Sequence, residues 1–170
     1  MTTFDFGFGK VPAHQHANGG GWVADSARVE GTVYIGPNAQ VFGNARVSGA
    51  ALVSGDALVS GNAHVSGNAQ VFDNAWVSGN AHVSDNALVS GAAHVSGAAL
   101  VSGDARVFGG AHVYGNAQVS DNAHVYGDAH VFGNARVSGA ALVSGGAQVS
   151  GDARVFGSPC PAGAGQERAI

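Results

Sequence analysis

A six-residue repeat constrains this chain more than any other feature of its sequence. From Ala39 to Val155 the phrase Ala-x-Val-[Ser/Phe/Tyr]-Gly-Asn recurs with few departures, and its frame extends over residues 21–158, which hold 23 consecutive hexads. In an extended strand, residues two apart lie on the same face. The Ala and Val of each hexad therefore point to one side, while the x residue and the Ser, Phe or Tyr point to the other.

The last two residues of each hexad must turn the chain. Where the first is Asp the second is Asn, as at 73–74, 85–86 and 121–122, and where the second is Ala the first is Gly, as at 49–50. Gly and Asn adopt positive φ at low cost, and every corner except Asp25–Ser26 contains one of them. The pattern predicts one positive-φ residue per corner, supplied by Asn where Gly is absent. The corner Asp residues are expected to accept hydrogen bonds from backbone N–H groups of the bend.

Short strands joined by a bend at every sixth residue bury too little to form hairpins, but they can coil. With an aliphatic residue at every sixth position and a small residue two before it, residues 21–158 resemble the hexapeptide-repeat superfamily. The Gly-Gly-Trp-Val opening at 20–23 is also similar to uncharacterised bacterial and phage-encoded repeat proteins. The resemblance implies an all-β fold: a single-stranded, left-handed parallel β-helix of triangular cross-section, with 18 residues per coil and about 7–8 coils.

The two ends of the chain depart from the repeat. Phe4, Phe6 and Phe8 alternate with other residues in the segment 1–20, which is expected to cap the open end of the solenoid or to serve as an attachment peptide. His14 and His16 could offer two metal ligands, but a polar loop is the favoured interpretation. The tail 159–170 is rich in Pro and Gly and does not predict a closing helix.

Composition excludes several classes of protein. The chain of 170 residues has 7 Lys and Arg against 11 Asp and Glu, and the cations form no sequence cluster, which argues against nucleic-acid binding. No apolar run is long enough to predict a membrane span. Residues 1–20 lack the basic start and apolar core of a secretory signal, so a cytoplasmic or virion-associated protein is expected. The lone Cys160 cannot form an internal disulfide.

With three hexads per coil, the outward residues fall on three faces. The serine face has one serine column and one mixed column: Ser48, Ser66, Ser84, Ser102, Ser120 and Ser138, beside Arg28, Arg46, His64, His82, Leu100, Gln118, Arg136 and Arg154. The histidine face has Trp22, Gln40, Leu58, Trp76, His94, His112, His130 and Gln148, beside Phe42, Tyr114 and Phe132. The third face has Leu52, Gln70, Leu88, Arg106, His124 and Leu142, beside Phe72, Phe108 and Tyr126.

One set of outward residues is dense in rings and lies within two coils on the histidine and third faces. We call it the aromatic band, and it comprises Arg106, Phe108, His112, Tyr114, His124, Tyr126, His130 and Phe132. Exposed rings at this density indicate a contact surface. The favoured partner is another copy of the chain, in a homotrimer as in many superfamily members. A carbohydrate or surface receptor, and ladders that only stabilise neighbouring strands, are the alternatives.

Three histidines of the histidine face are expected to stack one above another. His94, His112 and His130 recur at every third hexad, at ~4.8 Å spacing. Such a row could bind Zn²⁺ if the side chains converge, or respond to pH because adjacent imidazoles disfavour double protonation. A column of neutral, stacked imidazoles is the favoured interpretation, and no cofactor is predicted.

Enzymatic function is the main alternative to a structural role. Acyltransferases of the superfamily interrupt the helix with a long loop, whereas no insertion breaks residues 21–158. Its carbonic anhydrases use a His-x4-His phrase, which this chain does not contain. Ice binding would suit the serine column, but no Thr follows Thr32 in the repeats. We therefore expect a non-enzymatic rod that forms part of a fibre, spike or surface assembly, phage or bacterial, with no catalytic residues.

Overall fold

In the computed structural model, which describes residues 2–158, every regular element is a β-strand. The predictions for Cys160 and for the tail 159–170 lie outside the described residues. No helix occurs in the described part of the chain, and hence none there that could span a membrane. The all-β prediction is confirmed.

Most strands consist of only two residues, the x residue and the Val of one hexad. In chain order the 25 strands are β1 (Thr3–Asp5), β2 (Lys10–Gln15), β3 (Trp22–Ala24), β4 (Arg28–Val29), β5 (Tyr34–Ile35), β6 (Gln40–Val41), β7 (Arg46–Val47), β8 (Leu52–Val53), β9 (Leu58–Val59), β10 (His64–Val65), β11 (Gln70–Val71), β12 (Trp76–Val77), β13 (His82–Val83), β14 (Leu88–Val89), β15 (His94–Val95), β16 (Leu100–Val101), β17 (Arg106–Val107), β18 (His112–Val113), β19 (Gln118–Val119), β20 (His124–Val125), β21 (His130–Val131), β22 (Arg136–Gly139), β23 (Leu142–Val143), β24 (Gln148–Val149) and β25 (Arg154–Gly157).

Three parallel sheets form the walls of a solenoid. The histidine face is the sheet β3-β6-β9-β12-β15-β18-β21-β24, the serine face is β4-β7-β10-β13-β16-β19-β22-β25, and the third face is β5-β8-β11-β14-β17-β20-β23. Leu52 pairs with Gln70, and His112 pairs with His130. Paired residues are thus separated by three hexads of sequence. Three hexads therefore complete one coil, which confirms the 18-residue coil that the resemblance implies.

The core is a column of Ala and Val along the solenoid axis. Every inward Ala and Val from Ala39 to Val143 is buried, with at most 4% of its surface exposed. Burying one Val side chain stabilises the fold by roughly 1.5–3 kcal/mol. The alternation holds because the x residue between each Ala and Val points outward, where charged and polar groups keep their contact with water.

Positive φ occurs at the first residue of a corner. Asp73, Asp85 and Asp121 have φ values of 60°, 61° and 58°, so the prediction that Asn supplies the positive φ in Asp-Asn corners is wrong. Gly is preferred at the equivalent positions because the stacked corners are close together. A Cβ atom on Gly55, for example, would lie 2.8 Å from the backbone N of Asp73.

The corner Asp side chains link neighbouring coils. Each carboxylate accepts a hydrogen bond of 2.9–3.1 Å from the backbone N–H of the glycine one coil later: Asp73 from Gly91, Asp85 from Gly103 and Asp121 from Gly139. The predicted acceptor role is correct for these three, but the donor belongs to the next coil rather than to the same bend. Corner amides also form ladders, as where Asn62 Nδ2 donates to Asn80 Oδ1 at 3.1 Å.

The corners of the first coil turn differently. None of the residues at 25–26, 31–32 and 37–38 has a positive φ, so the expectation that every corner needs one is wrong there. Hydroxyl groups supply part of the support instead, since Ser26 Oγ donates to the carbonyl of Gly43 and Thr32 Oγ1 donates to that of Gly49.

The N-terminal segment packs against the first two coils. Strands β1 and β2 form an antiparallel hairpin, and β2 pairs antiparallel with β3. Phe4 stacks on Trp22 with ring centroids 4.4 Å apart. Phe6 and Phe8 contact Phe42 at 5.1 and 5.3 Å. The hairpin therefore covers outward rings at the N-terminal end of the histidine face.

The interpretation of the His-x-His segment as a polar loop is wrong. His14 lies in β2, and its Nδ1 is 2.9 Å from Asp25 Oδ1. His16 is buried, and its Nε2 donates to the carbonyl oxygen of Val33 at 3.0 Å. Because the hairpin adds to the sheet edge, this segment is extended, and the two imidazoles bond to different groups instead of forming a ligand pair.

Candidate functional site

The aromatic band is built from two parallel ring stacks on adjacent faces. Phe108 and Tyr126 lie with centroids 5.1 Å apart and planes 3° apart, and Tyr114 and Phe132 lie 5.0 Å and 1° apart. The two members of each pair occupy equivalent positions in successive coils. The parallel registers of the two sheets therefore place one ring directly above the other.

The imidazoles of the histidine face form a third stack. His94 and His112 have centroids 4.9 Å apart with planes at 30°, and His112 and His130 lie 4.9 Å apart with planes at 6°. Trp76 extends the column, with its ring 5.4 Å from that of His94 and nearly perpendicular to it. The predicted histidine column is thus present, and Trp76 continues it, as its place in the same column of the histidine face predicts.

Edge-to-face contacts connect the stacks. The ring of Tyr114 meets that of His130 at 6.4 Å and 87°, and Phe108 meets His124 at 6.4 Å and 75°. Aromatic pairs in such offset or T-shaped arrangements stabilise each other by about 0.5–1.5 kcal/mol beyond area burial. The band therefore forms a continuous set of ring contacts along and across the coils.

The structure places all eight residues of the band together but changes their expected exposure. Only Arg106 is exposed, whereas the seven rings are partly buried. The rings are less exposed than expected because rings in successive coils shield each other's faces. Within residues 2–158, no side-chain hydrogen bond involves Tyr114, Tyr126 or the band histidines.

Stacking also affects protonation. Burial is the main cause that lowers the pKa of His112 below 6.5, and the neighbouring imidazoles His94 and His130 lower it further, while Asp128 opposes the shift. The imidazole of His112 is therefore protonated less readily than the imidazole of a free histidine.

The described residues offer no preformed metal centre. Among residues 2–158, no three His, Cys, Asp or Glu side chains are placed to hold a metal ion. The stacking of the column explains this in part, because the ring planes of His112 and His130 are only 6° apart and lone pairs in such planes do not converge on one point, as metal ligands must. Metal binding by His94, His112 and His130 would require new side-chain rotamers.

Comparison with protein families identifies the repeat. The model of the YdcK beta-solenoid repeat matches eight overlapping or adjacent stretches of the chain: residues 39–55, 51–67, 69–85, 81–97, 99–115, 117–132, 129–145 and 147–158. Together these cover well over half of the sequence. The chain belongs to the YdcK beta-solenoid repeat family.

Membership in the YdcK repeat family agrees with the strand pattern. The matched stretches begin at Ala39, where strict Ala-x-Val hexads begin, and end at Ser158. They include the whole aromatic band, while the N-terminal hairpin and the irregular first coil precede them. A comparison with curated proteins finds none that matches this chain.

Proposed function

We propose that this YdcK-family chain is a non-enzymatic rod, a structural or adhesion element of a fibre, spike or surface assembly, phage or bacterial. The observation that carries the proposal is the uninterrupted stack of coils from β3 to β25. At ~4.8 Å per coil the rod is about 37 Å long. A left-handed coil and a relation to the hexapeptide-repeat superfamily are part of the same proposal.

The stiffness of such a rod follows from its hydrogen bonds. Successive coils bond through their backbones along all three faces, as where His112 N–H donates to the Ala129 carbonyl at 2.9 Å. The corner Asp and Asn side chains add bonds between the same coils. Parallel connections of this kind resist bending because any bend must separate coils on one face.

The aromatic band is the proposed contact surface of the rod. Its rings supply rigid apolar area with little rotamer entropy to lose, and the Tyr hydroxyls and imidazole nitrogens supply polar contacts around it. A symmetric homotrimer is the favoured assembly, with each copy burying its band against a neighbour. A carbohydrate stacked on the rings is the alternative use of the same surface.

Light scattering coupled to size exclusion tests the assembly. The wild type is expected to elute as a trimer, and the double variant Tyr114→Ala/Tyr126→Ala is expected to shift to monomer. Tyr34→Ala is the matched control because Tyr34 is 38% exposed and lies outside the band. A wild type that is monomeric at all concentrations would contradict self-association.

Glycan-array binding separates an adhesin from a passive scaffold. An adhesin binds a defined set of glycans and loses that binding in Tyr114→Ala and in Tyr126→Ala but not in Tyr34→Ala. A scaffold binds none of them. Binding that survives both band substitutions would place the receptor surface elsewhere on the rod.

A further inference from the structure

A groove of about 660 Å³ opens on the serine face at its N-terminal end. It runs between two outward columns, and their residues line its sides: Arg28, Arg46 and His64 on one, and Glu30, Ser48 and Ser66 on the other. His14 of the hairpin closes one end. The assignment of repeat residues to three faces did not predict this groove, because His14, which lines one end of it, lies outside the repeat.

The charges of the groove are unbalanced. Arg28 and Arg46 stand directly opposite each other in the pairing of β4 with β7. Within residues 2–158 the one ion pair is that of His14 with Asp25, so neither arginine has a carboxylate partner there. Like charges placed opposite each other in a sheet destabilise it. The arrangement is therefore costly for the free protein.

Among residues 2–158, the single carboxylate that lines the groove, Glu30, forms no ion pair with either arginine. Glu30 Oε2 accepts a hydrogen bond from the backbone N–H of Gly49 at 2.9 Å, which directs it to the corner. The pKa of His64 is lowered by burial first, then by His82 and by Arg46. That last effect is consistent with a positive potential along the groove.

From this geometry we infer that the groove binds the anionic groups of an acidic saccharide. The sulfate or carboxylate groups pair with Arg28 and Arg46, whose guanidinium groups bond such oxygens in bidentate fashion. The hydroxyls of Ser48 and Ser66 lie on the opposite side of the groove and bond to sugar hydroxyls. Because the two arginines stand on neighbouring strands that are about 4.8 Å apart, the anionic groups they would bind succeed each other along the rod axis.

The lining of the groove argues against a nucleic acid as the ligand. Single-stranded nucleic acids are held by aromatic side chains on which bases stack, together with a basic track. No Phe, Tyr or Trp lines the groove. The inference is independent of the proposed role of the aromatic band, which lies on the other two faces.

Calorimetric titration with short oligosaccharides tests the inference. The probes are a sulfated maltotetraose, tetragalacturonate and uncharged maltotetraose, which separate sulfate from carboxylate recognition and both from neutral sugar. At least one acidic probe is expected to bind, with an affinity that falls as salt rises. Arg28→Gln/Arg46→Gln is expected to weaken that binding about tenfold or more, because it removes both charge-assisted contacts.

The matched control carries the same loss of charge on the same face. Arg136→Gln/Arg154→Gln removes two stacked arginines at the other end of the serine face, where Asp152 and amide side chains rather than serines line the cleft beside them. The affinity of this variant is expected to stay within about twofold of the wild type because the N-terminal groove is intact. In the unmodified protein, the arginine side-chain NMR signals of Arg28 and Arg46 are expected to shift on titration.

Three outcomes would overturn the inference. The first is that neither acidic probe binds more tightly than maltotetraose. The second is that the control double variant loses as much affinity as the groove variant. The third is that a tetrathymidylate binds as tightly as the better saccharide, which would make the groove a general site for anions.

Discussion

Individual corner residues show how a left-handed backbone position is tolerated without Gly. Asp85 has φ of 61°, yet its carboxylate accepts a hydrogen bond from the Gly103 N–H at 3.0 Å. A left-handed conformation costs a residue with a Cβ atom roughly 1–2 kcal/mol. The hydrogen bond to the next coil offsets part of this cost, since a bond to a charged acceptor stabilises by about 1.5–3 kcal/mol when shielded and less in water.

This balance predicts an order of stability for substitutions at Asp85. Asp85→Ala keeps the Cβ atom and loses the acceptor, so we expect it to lower the free energy of unfolding by about 1–2 kcal/mol. Asp85→Gly loses the acceptor but relieves the backbone, so its loss should be smaller. Urea denaturation followed by circular dichroism measures both. A Gly variant less stable than the Ala variant would show that backbone strain is not involved.

At the scale of the strand and its side-chain column, the histidine stack links stability to pH. The pKa of His112 is lowered in the folded protein, mainly by burial and then by His94 and His130. The unfolded chain therefore binds a proton more readily than the folded one. The contribution of His112 to folding stability is fully present above pH 6.5, the ordinary histidine pKa. This contribution is lost as the pH falls through the lowered pKa of His112 in the folded protein.

Thermal unfolding at different pH values checks this sign. The melting temperature of the wild type is expected to fall between pH 7.5 and pH 5, and His112→Gln should show a smaller fall because the central imidazole is gone. Leu88→Gln, which retains every histidine, serves as the control. A slope that is equal in His112→Gln and the wild type would contradict a contribution from this stack.

The strands also show which parts of the molecule a sequence pattern can predict. The hexad period and the buried column follow from Ala and Val at fixed spacing, whereas three hexads per coil, and with it the three faces, came from the resemblance to the hexapeptide-repeat superfamily. The positive φ of Asp73 was not predictable, because it depends on a bond to Gly91 in another coil. The burial of His16 was also not predictable, because it depends on where the N-terminal hairpin packs against the solenoid. Mutual shielding of the band rings likewise arises only after coiling.

At the scale of the whole molecule, a solenoid is a stack of interchangeable coils. Each coil contacts only its neighbours along the axis, so removal of one complete coil leaves every remaining contact type intact. Removal of a length that is not a whole number of hexads leaves a strand of the wrong register at the junction, so the later coils no longer pair correctly with the preceding ones. The fold therefore predicts a strong dependence on deletion length.

Two deletions of similar size make this prediction testable. Deleting positions 79–96 removes three whole hexads and brings Trp76 into register with His112, so the protein should fold with an unchanged circular dichroism spectrum per residue and cooperative unfolding. Deleting positions 79–93 removes two and a half hexads, breaks the frame and should abolish folding of the C-terminal coils. Equal behaviour of the two variants would contradict the stacked-coil account.

The proposal for the whole molecule is that a rigid rod presents the aromatic band to a partner. A cryo-EM or crystal structure of the assembled wild-type protein tests it most directly, read for what covers Tyr114 and Tyr126. The account predicts that both rings lose most of their remaining accessible surface to a second copy of the chain or to a bound glycan. An assembly in which the band stays open to solvent, with copies joined through other faces, would contradict it.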